Sequence, residues 1–195
     1  MRKLTLSLAL AVTFTVMSSF SAPEGDKYAV DAASSSVKWT GYHLAKSYEH
    51  WGNVTIKSGF IELEGEDVIG GEIVIDMSSI TNGDQEEEKD RKKLVNHLKS
   101  DDFFNAQEYP ESRLVIKSAE NAGGGKYNVT ADITIRGITE EIQFEANRNV
   151  SGETVEFSAK VSVDRTKHEV MYGWKIENAI LSNNFDLDVK LVASK

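Results

Sequence analysis

Residues 126–148 read KYNVTADITIRGITEEIQFEANR, and the rest of the chain is organised around them. Tyr127, Val129, Ala131, Ile133 and Ile135 alternate with Lys126, Asn128, Thr130, Asp132 and Thr134. Further on, Ile142, Phe144 and Ala146 alternate with Gln143, Glu145 and Asn147. A period of two gives a strand one apolar and one polar face. Arg136-Gly137-Ile138-Thr139-Glu140 lies between the two runs, and Gly137 can adopt the positive φ that a tight reversal needs. The stretch is a β-hairpin with one apolar face, which the remaining chain has to cover.

Strand patterns recur outward from it. Tyr28 and Val30, then Val37, Trp39 and Gly41, mark two short strands split by Ala32–Ser35. Residues 54–64 and 71–77 form two longer strands separated by Glu66–Gly70, with Gly59 marking a bulge or bend. RLVIKSA precedes the hairpin, while TVEFSAKVSVD and ILSNNFDLDVKLVA follow it. One helix is expected after Asp84, which is placed to cap it with Glu87 at the capping-box position. Leu94, Val95 and Leu98 form its only apolar strip, and acidic residues lead while basic ones follow, as the helix dipole favours. Eight or nine sequential strands and one main helix make an all-β chain, either a closed up-and-down antiparallel barrel or a sandwich.

At the N-terminus, Arg2 and Lys3 precede Leu4–Val16, an apolar run of thirteen residues, and Ser19-Phe20-Ser21 supplies small residues for cleavage before Ala22. These are the parts of a secretory signal peptide, and thirteen residues fall short of the ~20 of a membrane-spanning helix. The expected organisation is a signal peptide over 1–21, a leader at Ala22–Asp26 and one domain within 22–195. Absence of cysteine excludes disulfides, thiol catalysis, thiolate metal sites and lipoprotein acylation, so the expectation is a periplasmic or secreted protein without stable membrane insertion. Without Arg2 and Lys3 the 22 basic residues fall to 20 against 31 acidic ones, a net charge of −11. Such a surface repels nucleic acid at long range.

Several segments, taken in order, resemble the YceI-like family of lipocalin-like, polyisoprenoid-binding exported proteins. They include Tyr28-Ala29-Val30-Asp31, Ser36-Val37, Gly59-Phe60, Ile75-Asp76-Met77-Ser78-Ser79-Ile80 and Tyr109-Pro110. The specific ones are His97-Leu98-Lys99-Ser100-Asp101-Asp102-Phe103-Phe104 and Ile133-Thr134-Ile135-Arg136-Gly137-Ile138-Thr139, followed by Asp164-Arg165-Thr166. The chain departs from the family pattern at Leu94-Val95, where Arg-Asp is usual, and at Lys167-His168-Glu169, where Asp-Phe-Gly is usual. The resemblance implies an eight-stranded lipocalin-like β-barrel enclosing an apolar cavity for an isoprenoid-type or fatty lipid.

The candidate ligand-binding residues follow from the apolar faces: Trp39, Phe60, Ile73, Ile75, Ile133, Ile135, Phe144, Phe157, Val161, Phe185 and Leu187, with Arg136 at the hairpin tip. Alternation is the same for a cavity lining and a filled core, and the resemblance favours the cavity. Arg136, like Arg165 with Lys167, is able to pair with an anionic headgroup through its planar fork, or to fix a barrel corner by binding a turn carbonyl or a carboxylate. A histidine with a carboxylate partner, as His97 with Asp101, can serve as half of a catalytic dyad, but no serine stands in a nucleophile elbow, so a structural cap or hydrogen-bond anchor is the stronger reading. His43 and His50 flank Glu49 at a spacing that matches no metal motif. The expectation is a lipid-binding protein that sequesters or transports its ligand, without cofactor, metal or catalytic residues; self-association as a homodimer stays open. The alternatives are a lipid-modifying enzyme using His97 and a stress-response interaction module with a filled core.

Overall fold

The structure, a computed structural model, describes residues 25–44, 47–171 and 180–195. The expected signal peptide and the start of the leader lie outside the described residues. Nine strands alternate with few helical turns: β1 (Asp26–Val30), β2 (Ser36–His43), β3 (Glu49–Glu64), β4 (Asp67–Asp76), β5 (Glu111–Gly123), β6 (Lys126–Ile135), β7 (Ile138–Ser151), β8 (Thr154–Asp164) and β9 (Leu181–Ser194). One helix, α1 (Glu88–Lys99), and short 3-10 turns at Met77–Ser79 and Arg165–His168 complete the described elements.

The central hairpin pairs without interruption from Lys126↔Asn147 to Ile135↔Ile138. Its turn is shorter than the five residues expected. Arg136 and Gly137 alone make it, both at positive φ (51° and 74°), so Ile138–Glu140 join β7. Two left-handed residues match the right-handed twist of the flanking strands.

All neighbouring strands are antiparallel, and β3 pairs with both β2 and β4, which closes the sheet. The nine strands make eight staves because β1 and β2 share one. Both pair with β3 on one side and β9 on the other, β1 beside Phe60–Leu63 and β2 beside Glu49–Val54. The break between them is stitched by the Asp31 amide donating to Val192 O at 2.8 Å and the Val192 amide donating to Ser35 Oγ at 2.9 Å. The result is an antiparallel eight-stranded barrel, as expected.

The two barrel ends differ. At one, Gly65-Glu66, Gly124-Gly125 and Gly152-Glu153 make two-residue connections. The other end carries the Arg136-Gly137 turn and the long connection from β4 to β5 that contains α1. The tight end is filled by Ile61, Leu63, Val68, Tyr127, Val155, Phe157 and Ala193, and the Tyr127 hydroxyl donates to Glu66 O at 2.6 Å. Across the wide end, Leu94 and Leu98 of α1 pack with Met77, Ile80, Phe103 and Phe104.

The helix begins later than its capping pattern suggests. It starts at Glu88, its N-cap position is Glu87, and the side chain there makes no cap bond. Asp84 does not cap it, because its carboxylate is occupied by the Trp51 amide, the Asn82 side chain and His50. Arg91 steadies the approach instead, its Nη1 donating to the carbonyls of Gln85 and Glu86, each at 2.7 Å.

Candidate functional site, an apolar cavity at the wide end

The interior is filled at the tight end and hollow towards the wide end. The hollow has a volume of about 830 Å³, towards the upper end of the roughly 300–1,000 Å³ common for ligand pockets. Nine of the expected residues line it: Trp39, Ile73, Ile75, Ile133, Ile135, Phe144, Val161, Phe185 and Leu187. They come from β2, β4, β6, β7, β8 and β9, so the wall is built by alternation around most of the barrel.

Three expected residues lie elsewhere. Phe60 stands outside, with the Lys27 ammonium over its ring at 4.8 Å. A register shift between Ile56 and Ser58 is the cause. Before it Val54 and Ile56 face inwards, and after it Gly59, Ile61 and Leu63 do, because one extra residue reverses which parity points to the core. Phe157 faces inwards but belongs to the filled end, 7% exposed. Arg136 does not line the cavity. Its Nη1 donates to Phe103 O at 2.5 Å and Glu169 O at 3.0 Å, joining the hairpin tip to two wide-end loops. This is the corner-fixing role.

Other lining residues were legible in part. Val37, Val189 and Leu191 share a face with Trp39, Phe185 and Leu187 and line the cavity with them. Leu94, Leu98, Phe103, Phe104, Met77 and Ile80 also contribute. These lie on the cap rather than on strands, and strand alternation carries no signal for them.

The polar side chains of Gln85, Asp90 and Lys93 also reach the lining, as does the exposed, apolar Ile180. Arg165 is 4% exposed, its Nε donating to Ser182 O at 2.8 Å and its Nη1 to Val170 O at 2.9 Å. Burial pulls its guanidinium pKa below the ordinary value, against the opposing pull of Asp164. Like Arg136, it spends donors on backbone carbonyls, here of the start of β9 and of the segment after the second 3-10 turn. Tyr42 donates its hydroxyl to Asp186 Oδ2 at 2.9 Å. Burial, then that bond and the Asp186 charge, push its pKa up to about 12, so it remains a neutral donor at physiological pH.

His97 lines the cavity beside Phe103, ring centroids 5.8 Å apart. His43 and His50 are separated by the Tyr48 ring, which meets each edge-on at 5.4 and 4.8 Å. Among the described residues no group of three or more histidine, aspartate or glutamate side chains is arranged to hold a metal ion. No described helix is long and apolar enough to cross a membrane.

Comparison with known proteins places this geometry. The model of the YceI-like domain matches residues 28–193. A UPF0312 protein of Pseudomonas putida is 27% identical over 116 residues, which is 60% of this chain and 57% of that protein; this match therefore spans little more than half of the relative. A UPF0312 protein of a Shewanella species is 23% identical over 186 residues, covering 93% of this chain and 94% of that one. Among solved structures, Burkholderia cenocepacia BcnA superposes with a TM-score of 0.72 at 24% identity, covering 85% of this chain and 99% of that one. A polyisoprenoid-binding domain from Saccharophagus degradans, implicated in plant cell wall breakdown, superposes with a TM-score of 0.66 at 15% identity, covering 86% and 97%. The barrel and the family model agree, and this chain belongs to the YceI-like family.

Proposed function

We propose that the protein is an exported lipid-binding protein that holds an isoprenoid-type or fatty chain in its barrel and sequesters or transports it. The carrying observation is the apolar hollow of about 830 Å³ under the α1 cap. A methylene moved from water into such a space gains about 0.8 kcal/mol, so a long chain binds strongly with no polar contact along its length. The polyisoprenoid-binding description of one structural neighbour supports the same chemistry, and the N-terminal signal pattern supports export. A hollow of this size speaks for carriage over an interaction module with a filled core. Membership of the YceI-like family and the polyisoprenoid-binding description of a structural neighbour favour binding over catalysis by His97.

The test is native mass spectrometry of protein purified without detergent, followed by organic extraction. An extra mass released as an isoprenoid or fatty compound is the expected result. A protein that is free of ligand and stays so after incubation with polyprenyl lipids would overturn the reading.

A further inference from the structure

We propose that the barrel holds a second, deeper apolar subsite beneath Phe144 that receives the far end of a hydrocarbon chain. Phe144 and Ala159 then set the longest chain accepted. This rests on the lipid-binding reading above.

A separate hollow of about 50 Å³ lies below the main cavity, within the otherwise packed tight end. Phe144, Ala159 and Val189 line both hollows, from the adjacent staves β7, β8 and β9. These three therefore form the partition. Phe144 packs against the filled cluster and against the wide-end cluster, and so does Ala159. Of the three, Phe144 carries the largest side chain, and the small Ala159 stands beside it on the next stave.

The lower hollow is walled by Ile61, Val68, Ile116, Tyr127 and Phe157 among others. A space lined this way stays dry, because a water needs two to four polar partners. Left empty, it forfeits dispersion contacts that a well-packed interior would make. The methyl-bearing end of a chain would restore those contacts. Rotation of Phe144 joins the two hollows, and the floor is then Tyr127, anchored through its hydroxyl to Glu66 O. Chain length is thus limited at two levels, first by the Phe144 ring and finally by Tyr127.

The experiment measures uptake of farnesol, geranylgeraniol and solanesol by native mass spectrometry, with circular dichroism as the check on folding. Phe144→Ala opens the neck and should move the length cut-off to a longer prenol, each extra buried methylene adding about fourfold in affinity. Ala159→Leu narrows the neck from the neighbouring stave and should move the cut-off to a shorter one. Should Phe144→Ala fail to fold, Ala159→Leu decides alone. Folded variants that bind prenols with the wild-type cut-off would overturn the subsite while leaving the lipid reading intact. A wild-type protein that takes up none of the prenols would overturn both.

Discussion

Asp84 Oδ2 lies 2.7 Å from His50 Nδ1, which ties the strap leading into α1 to the start of β3. The other carboxylate oxygen accepts the Trp51 amide at 2.9 Å and the Asn82 side chain. Burial is the largest single influence on this carboxyl and raises its pKa. The Trp51 amide, His50 and Asn82 together outweigh burial and hold it below the ordinary value. Asp84→Ala leaves the Trp51 amide without its acceptor, and hydrogen bonds to charged groups are worth about 1.5–3 kcal/mol. The variant should melt about 2–4 °C lower per kcal/mol lost, read by circular dichroism. A melting temperature equal to wild type would refute the strap's dependence on Asp84.

Two strand-ending aspartates repeat one device. Asp76 accepts from the Ser78 amide and hydroxyl at 2.8 and 2.6 Å, and Asp164 accepts from the Thr166 amide and hydroxyl at 2.9 and 2.6 Å. The side-chain bonds to Ser78 and Thr166 are the main causes that lower both pKa values. A carboxyl with a depressed folded-state pKa contributes stability that is complete above its unfolded value, near about 3.9, and is lost as pH falls through the folded value. Stability should therefore be flat through neutral pH and decline below about pH 4. Asp76→Asn with Asp164→Asn should flatten that acid decline, and thermal melts across pH 2–7 test it. An acid limb as steep as the wild type's would count against these two carboxylates.

Arg136→Ala removes the bonds to Phe103 O and Glu169 O. The cost should be about 1.5–3 kcal/mol, seen as a lower urea midpoint. Prenol affinity should change little, because Arg136 stands off the cavity wall. A large loss of affinity at unchanged stability would instead assign it to headgroup binding.

Gly52 in β3 has no space for a side chain. An added Cβ would overlap the Thr81 carbonyl oxygen and approach Trp39 Nε1 to 2.9 Å. The same carbonyl accepts the Trp39 indole N–H at 3.1 Å, and Thr81 N–H donates to Asn53 O at 2.9 Å. Gly52→Ala should cost about 1–3 kcal/mol as the strap is forced away. It should also redden the Trp39 emission by admitting water. Unchanged emission and melting would show that the strap yields without cost.

Much of this molecule was legible residue by residue. Alternation located the strands, placed nine of the twelve candidate residues on the cavity wall, and marked Arg136–Glu140 as a reversal, of which Arg136-Gly137 is the turn. What failed did so where a neighbour distant in the chain intervened. Phe60 has the strand pattern of a lining residue, but its side was decided by one unpaired residue in β3, visible only against the register of β4. Asp84 has the spacing of a helix cap, yet the Trp51 amide, 33 residues earlier, claims its carboxylate.

By itself, the sequence determined the position of most strands, their apolar faces where no register shift intervenes, the family and the absence of cysteine chemistry, because period, turn residues and composition are local properties. Only the tertiary structure decided that β1 and β2 share a stave, that Arg136 fixes a corner, and that the main cavity lies above Phe144 with only a small hollow below it. A cavity is the difference between the space a closed barrel encloses and the side-chain volume supplied from every stave. No single strand carries that difference in its sequence.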